Sequence, residues 1–313
     1  MRKTRVAVLM GGPSSEHEVS LNTGEKIAEY LDREKFEVFP VKIKKNGRWP
    51  ITLANLKERA DVAFIAMHGE YGEDGQVQSL LETFGIPYTG SGPVASAWAM
   101  DKGKAQLIFS ENGLAVPEGV VFKKTDSDIN WAQVKTWDLP LVVKPTDRGS
   151  SVGVSIAKKN EDLVPAIRQA FRHSNTVMIQ KYIKGRELAC GVLDINGTAV
   201  ALMPTEIVPK KSDFFDFASK YEVGGSEEIT PPDLPREKLK EIQLTALRAH
   251  KALGCSGMSR ADFILDSSGK LHVLEVNTIP GMTQTSLLPQ QAEKMGFGFS
   301  RLLEIIIKSA LNK

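Results

Sequence analysis

The sequence predicts a mixed α/β protein, with a small parallel sheet toward its amino end and antiparallel strands toward its carboxyl end. Three observations predict it. Apolar runs alternate with a helix-like stretch between Arg5 and Met67, a β-α-β pattern that belongs to parallel sheets with helices on their faces. Two further apolar runs, 261–265 and 271–276, flank Ser267-Ser268-Gly269-Lys270, which is loop chemistry inside a hairpin. A chain of 313 residues is also long enough for two or three domains with their own cores.

Residues 5–10 read as a buried strand by their Val-Ala-Val-Leu-Met run, which Gly11-Gly12-Pro13-Ser14-Ser15 ends. A helix over about 19–31 and strands over 36–43 and 61–67 complete this first unit. Ligands on such sheets gather at the carboxyl ends of strands. Glu16, His17 and Glu18 follow the first strand there, and His68 follows a later one. Taken alone, each is more ordinarily a helix-start carboxylate or a surface histidine. The GxGxxG pattern is absent, so a dinucleotide fingerprint is not supported.

A second unit begins near Ala99, where Met100-Asp101-Lys102 opens a helix through Phe109, and a strand covers 139–144. Gly149-Ser150-Ser151-Val152-Gly153 then forms a loop whose N–H and hydroxyl groups can wrap phosphates. It lacks Gly-Lys-Ser/Thr and is not a Walker A loop. Lys144, set among Val142, Val143 and Pro145, wants an anionic partner, unless it snorkels from an edge strand. A strand-like run over 177–183 and, after the turn at 184–187, a third unit over 188–208 lead to the stretch 210–232, whose composition gives no clean period. Long irregular segments in compact domains are lids or disordered, and Phe214, Phe215, Phe217 and Tyr221 argue for a lid. An amphipathic helix over 235–253 ends at Gly254, and a last helix starts near Ser300.

The hairpin carries the chemistry. With a four-residue loop, Asp266 faces Leu271 and the count back along both strands sets Asp262 opposite Glu275. Opposed residues share a sheet face, and the period of two brings Asn277 and Arg260 to that face. Two carboxylates facing each other among Phe, Ile, Leu and Val repel unless a cation neutralises them. Only oxygens are on offer, without His or Cys, so Mg²⁺ completed by phosphate and water fits best. A solvated edge hairpin or a lone Asp–Arg pair is the plainer reading. The nearly continuous apolar runs, which imply burial on both faces, speak against it.

Composition narrows the classes. Charged residues make up 25% with a formal net charge of +2, and no Lys/Arg block points to nucleic acid or an acidic membrane. The two cysteines, Cys190 and Cys255, have no metal-ligand spacing and read as reduced thiols of a cytoplasmic protein. The apolar run after Met1 is too short for a signal peptide or a membrane span.

In order along the chain, 11–20 (GGPSSEHEVS), 68–75 (HGEYGEDG), 88–92 (YTGSG), 100–102 (MDK), 149–153 (GSSVG), Lys220-Tyr221 and 275–282 (EVNTIPGM) resemble the ATP-grasp superfamily, and within it the D-alanine–D-alanine ligase family. The resemblance runs essentially end to end. It implies an ATP-grasp fold with an N-terminal Rossmann-like substrate domain (1–98), a central subdomain (99–183) and a C-terminal subdomain (184–313) with a lid over about 210–232. It also implies ATP-driven ligation of two D-alanines through an acyl phosphate, for peptidoglycan. Lys102 and Lys144 would hold ATP phosphates under the Ser150-Ser151 loop. Asp262, Glu275 and Asn277 would hold two Mg²⁺ (or Mn²⁺), with Glu275 bridging. Lys220 would meet the transferred phosphoryl group.

By the same resemblance, Glu18 anchors the first substrate's ammonium, with Ser150 and Tyr221 as hydrogen-bonding partners. Arg260 and the N–H of Gly281 form an oxyanion site, Ser286 holds the second carboxylate, and His68 lies near the substrates. Adenine would bind against Gln180, Lys181 and Ile183, with Glu187 on the ribose; the family often has Glu where Gln180 stands. The family is commonly dimeric, with residues 81–86 available to an interface, and K⁺ activation is left open. Rival readings are a D-lactate or D-serine ligase, a non-catalytic ATP-binding protein, and a kinase that stops at the acyl phosphate. Lys220-Tyr221 favours the dipeptide enzyme.

Overall fold

The computed structural model describes residues 2–125, 131–149, 152–210 and 226–313. Strands β1 (Thr4–Gly11), β2 (Phe36–Ile43) and β3 (Val62–Ile65) form a parallel sheet in the order β2-β1-β3. Val6 to Met10 are fully buried in its centre, as expected of a strand covered on both faces. Helix α1 (His17–Tyr30) starts earlier than the apolar period predicts. The reason is local: the His17 ring folds back to the Gly12 carbonyl at 2.6 Å. His17 is thereby a buried structural contact and not a ligand at the sheet edge.

Three short helices escape a period-based reading: α2 (Leu53–Arg59), α3 (Gln76–Thr83) and α4 (Pro93–Met100). They run 7 or 8 residues, barely two turns, too short for a hydrophobic stripe to repeat. Helix α5 (Lys102–Glu111) is capped by the Asp101 carboxylate, which accepts from the N–H groups of Gly103 and Lys104.

A second sheet is antiparallel, with β4 (Gly119–Lys123), β5 (Leu141–Pro145), β6 (Ser155–Ala157) and β7 (Thr176–Lys181) in the order β4-β7-β5-β6. The short helix α6 (Trp131–Val134) precedes β5. One face of the sheet, with Phe122, Leu141, Val143, Val177 and Ile179, packs on Leu163, Ile167 and Ala170 of α7 (Asn160–Ala170). The other face carries Val142, Lys144, Met178 and Gln180, since Val142 opposes Gln180 and Lys144 opposes Met178.

The third sheet holds β8 (Gly185–Ile195), β9 (Thr198–Ala201), β10 (Thr205–Pro209), β11 (Ser226–Ile229), β12 (Met258–Asp266) and β13 (Leu271–Asn277). Its path is β11-β10-β8-β12-β13, with β9 also paired to β8. Strand β11 corrects the sequence reading, which ran an irregular lid through it; it pairs antiparallel with β10, Ile207 facing Glu228. Leu188, Cys190, Phe263, Val273 and Val276 face α8 (Arg236–Ala252), whose Ile242, Ala246 and Ala249 are fully buried against them.

The chain closes with α9 (Leu287–Glu293) and α10 (Phe299–Leu311). Leu302, Leu303, Ile306 and Ile307 of α10 share a core with β1 and β3 of the first sheet. The last helix therefore crosses back to the amino-terminal unit. Within residues 81–86, Leu81 and Ile86 are buried in that core, whereas Glu82 to Gly85, Phe84 among them, are exposed.

Candidate active site

The hairpin of β12 and β13 differs from the expected one at both ends, and the two differences cancel. Leu265, not Asp266, faces Leu271. The turn spans only Ser267-Ser268-Gly269: the Asp266 N–H bonds to the Lys270 carbonyl at 3.0 Å, and the Gly269 N–H to the Asp266 carbonyl at 3.0 Å. Gly269 sits at φ +83°, the left-handed position that such a three-residue turn assigns to glycine. A regular ladder from that turn would set Leu274 opposite Asp262. Instead the register shifts after Phe263, and Leu274 is the extra residue of a β-bulge. Asp262 then faces Glu275 and Arg260 faces Asn277.

Arg260 grips Asp262 with both arms of its guanidinium, Nε to Oδ1 at 2.7 Å and a terminal nitrogen to Oδ2 at 2.7 Å. Asn277 donates to Asp262 Oδ2 at 3.2 Å, and Lys102 Nζ lies 3.2 Å from Glu275. Burial by itself lowers the Arg260 pKa, but Asp262, with Glu275 and Glu73 further off, holds it above its ordinary value. Among the described residues no group of three His, Cys, Asp or Glu makes a metal centre. The donor set here is two carboxylates and an amide. These oxygens already draw two cationic side chains, Arg260 and Lys102, to themselves. Oxygen donors that gather positive charge, open to a cleft wide enough for phosphate and water, fit a hard divalent ion.

Two cavities meet at this hairpin. The first, about 1110 Å³ including its mouth, lies between the second and third sheets. Val142, Lys144, Ile156 and Gln180 line one wall, and Ile207, Glu187, Ile264 and Asp262 the other. Its apolar flanks suit a flat base, and Lys102, Lys144 and Arg148 at one end suit phosphates. Lys144 is 9% exposed. The second cavity, about 1600 Å³, lies between β1's carboxyl edge and the third sheet. Glu16, Glu18, His68, Glu73, Glu228, Arg260, Asn277, Gly281 and Ser286 all line it. Glu275 lines both cavities.

Not every residue singled out from the sequence faces inward alike. Lys181 and Ile183 line the first cavity, yet the Lys181 ammonium turns to Glu118 at 2.6 Å and lies over Trp137. Glu18 is exposed at the rim and pairs with Lys45 at 3.4 Å. The Ser286 hydroxyl accepts from the Thr283 N–H at 3.1 Å and lies beside Gly281, where a Cβ would come within 2.9 Å of it. Ser150, Ser151, Lys220 and Tyr221 lie outside the described residues.

Sequence reasoning missed several lining groups. Glu73 sits 3.7 Å from His68 Nδ1 and accepts from the Gly69 N–H at 3.0 Å; His68 Nε2 meets the Thr23 hydroxyl at 3.0 Å. Glu228, on the same sheet as Arg260, lines the second cavity with it and accepts from Gln290 at 2.7 Å; burial raises its pKa, against the pull of Gln290 and Arg260. Arg148 pairs with Glu70 and its carbonyl accepts from Lys102 at 2.8 Å, joining the first unit to the glycine loop. None of these had a periodic signal; the spacing of Glu73 behind His68 was the one available hint.

Burial is the largest influence on His68 and lowers its pKa, but the Glu73 hydrogen bond and the charges of Glu73 and Glu16 outweigh it and the net shift is upward. The stabilisation from protonated His68 is thus fully present below its unfolded pKa and fades as pH rises through the raised folded value. Glu73→Gln removes the main raising influence and leaves burial opposed only by Glu16 and the Ile279 backbone. The His68 pKa is expected to fall in an NMR titration of the ring. An unchanged titration would mean that Glu73 does not hold the proton on His68.

Comparison with known proteins follows the same lines. Residues 108–308 match the family model described as "D-ala D-ala ligase C-terminus", and residues 5–60 and 51–91 match "D-ala D-ala ligase N-terminus". The chain is 44% identical to a D-alanine–D-alanine ligase of Geobacter sulfurreducens, over 99% of this chain and 95% of that protein. It is 40% identical to one of Clostridium beijerinckii, over 98% of each. Among solved structures, a D-alanine–D-alanine ligase of Bacillus anthracis complexed with ATP superposes with a TM-score of 0.84 at 36% identity, covering 99% of this chain and 98% of that one. The VanG D-Ala:D-Ser ligase of Enterococcus faecalis superposes with a TM-score of 0.88 at 31% identity, covering 99% and 100%.

Proposed function

The chain belongs to the D-alanine–D-alanine ligase family, and from that premise we propose how its own residues join two D-alanine molecules at the expense of ATP. The enzyme is an ADP-forming ligase of cell-wall synthesis that uses ATP and a divalent metal. The observation that carries the residue assignment is Glu275, a carboxylate shared by the two cavities. Phosphoryl transfer must happen where nucleotide and amino acid meet, and that residue stands at the junction.

In this reading the base of ATP enters the first cavity against Gln180, the backbone at Lys181 and Ile183, with Glu187 toward the ribose. Lys102 and Lys144, with the Ser151 loop, hold the phosphates. Asp262, Glu275 and Asn277 would hold two Mg²⁺, which neutralise phosphate charge as Lewis acids when bound. The first D-alanine's ammonium lies toward Glu18 with Ser150 and Tyr221. Its carboxylate oxygen attacks the γ-phosphorus, forming an acyl phosphate and releasing ADP. The second D-alanine, held through its carboxylate by Ser286, gives up its ammonium proton to solvent water and its amine attacks the acyl carbon. Arg260 and the Gly281 N–H stabilise the tetrahedral oxyanion, and inorganic phosphate leaves. Lys220 attends the transferred phosphoryl group, and His68 stays a neighbour of the substrates. Five glutamates face one arginine and one histidine in the second cavity among the described residues, a field that favours two ammonium-bearing substrates.

We further divide the chain at about residues 98 and 183, each segment then containing one of the three sheets, with α10 returning to the first. Exposed Phe84, Val94 and Trp98 support a homodimer through α3 and α4. No helix among the described residues is long and apolar enough to cross a membrane, and both cysteines are free; the need for ATP and reduced thiols supports a cytoplasmic enzyme. The likeness to a D-Ala:D-Ser ligase makes D-serine the second acceptor to examine.

The test is phosphate release with ATP and Mg²⁺ over a panel of D- and L-amino acids and D-lactate, with products identified by mass. D-alanyl-D-alanine is the expected product, formed only with a D-amino acid present. Release without an acceptor would indicate a kinase, and a dominant ester or D-serine product would reassign the second substrate.

A further inference from the structure

Gln180 is 2% exposed and lies on the wall of the nucleotide cleft. Its Nε2 donates to Gln106 Oε1 at 2.6 Å and to the Pro117 carbonyl at 3.1 Å. Gln106 in turn donates from Nε2 to the Leu274 carbonyl at 3.3 Å. Amide ends are easily interchanged, so their orientation has to be argued from partners. Here two backbone carbonyls fix it, because a carbonyl can only accept. Leu274 requires the nitrogen end of Gln106, which turns the oxygen of Gln106 toward Gln180. Pro117 and that oxygen then both require the nitrogen end of Gln180. Both N–H bonds of its amide are spent. What remains is Oε1, which no described residue engages and which is not sealed from the cleft.

We propose that Gln106 is a positioning residue that sets the polarity of the Gln180 amide, so that the cleft offers an acceptor and selects a base bearing an amino group at ring position 6. Adenine presents a donor there; hypoxanthine and guanine present an oxygen. With Oε1 locked toward the base, an oxo group meets acceptor against acceptor, and Gln180 cannot turn its nitrogen out without stranding Pro117 and Gln106. The Leu274 carbonyl that anchors Gln106 belongs to the bulge residue beside Glu275. The same bulge that aligns the carboxylates therefore also terminates the chain of amides. This inference rests on the reading of the first cavity as the ATP cleft.

The experiment compares ATP with inosine triphosphate, which carries an oxygen in place of the 6-amino group and a hydrogen on N1, by kcat/KM for D-alanine-dependent phosphate release; because N1 is read the same way in parent and variants, the change in preference between them reports position 6. Gln106→Leu removes the shorter of the two contacts that fix the Gln180 amide and leaves the Pro117 carbonyl at 3.1 Å as the other; the ATP preference is expected to fall about tenfold, through KM, with kcat at saturating ATP shifted less than about threefold. Gln106→Glu keeps an oxygen toward Gln180 and should hold the preference within about threefold of the parent, although its second oxygen against Leu274 lowers Tm. A parental ATP preference in Gln106→Leu, or its loss in both variants alike, overturns the proposal. Gln180→Leu separates this failure from that of the cleft assignment: an unmoved KM for ATP there would show that the base lies elsewhere.

Discussion

Glu275→Gln is expected to lower ATP turnover about 10³-fold, a barrier increase of about 4 kcal/mol. The substitution changes charge and hardly changes shape, so the ladder of β13 keeps its partners and thermal unfolding stays close to the parent's. What is lost is the one carboxylate among the described residues that both cavities share, which Lys102 approaches at 3.2 Å. An amide can accept a hydrogen bond from Lys102 but carries no negative charge to hold a divalent ion against the phosphates. Raising Mg²⁺ should recover little of the rate. Parent-like phosphate release from a folded Glu275→Gln protein would remove this residue from the mechanism.

Arg260→Gln carries the second large effect, in two separable parts. Its loss as an oxyanion donor predicts a decrease of about 10²–10³ in kcat. Its loss as the bidentate partner of Asp262, both contacts at 2.7 Å, leaves a largely buried carboxylate held by Asn277 alone. Breaking a pair of this kind costs about 3 kcal/mol of stability, read in denaturant unfolding without metal. Adding Asp262→Asn neutralises the stranded charge. The double variant should therefore regain much of the stability and none of the activity. Recovery of the rate along with the fold would mean that Arg260 serves structure only.

How much of this was visible beforehand depends on the range of the interactions. The first strand, its helix and the long α8 follow from periodicities that repeat several times within one element. The convergence of Asp262, Glu275, Asn277 and Arg260 was legible because a hairpin is a local object and its faces alternate by two. The route to it was not: a type of turn one residue shorter and a bulge at Leu274 were both invisible, and only their cancellation kept the pairing. Glu73 and Glu228 were missed since residues in irregular segments or on short strands gain meaning only from what folds over them. Gln106 was beyond sequence reasoning altogether, lying 74 positions from Gln180 and 168 from Leu274.

The bulge at Leu274 has an implication for how such an enzyme can vary. Phe263 faces Val273, so Glu275 meets Asp262 only because Leu274 is taken up without a partner. Straightening the strand with Leu274 kept would put Leu274 opposite Asp262 and turn Glu275 into the greasy interior beneath the sheet, whereas removing Leu274 outright would leave the glutamate opposite Asp262. Viable sequences should therefore gain or lose the irregularity together with the residue that makes it, and leave the tip of the hairpin free to drift on its own.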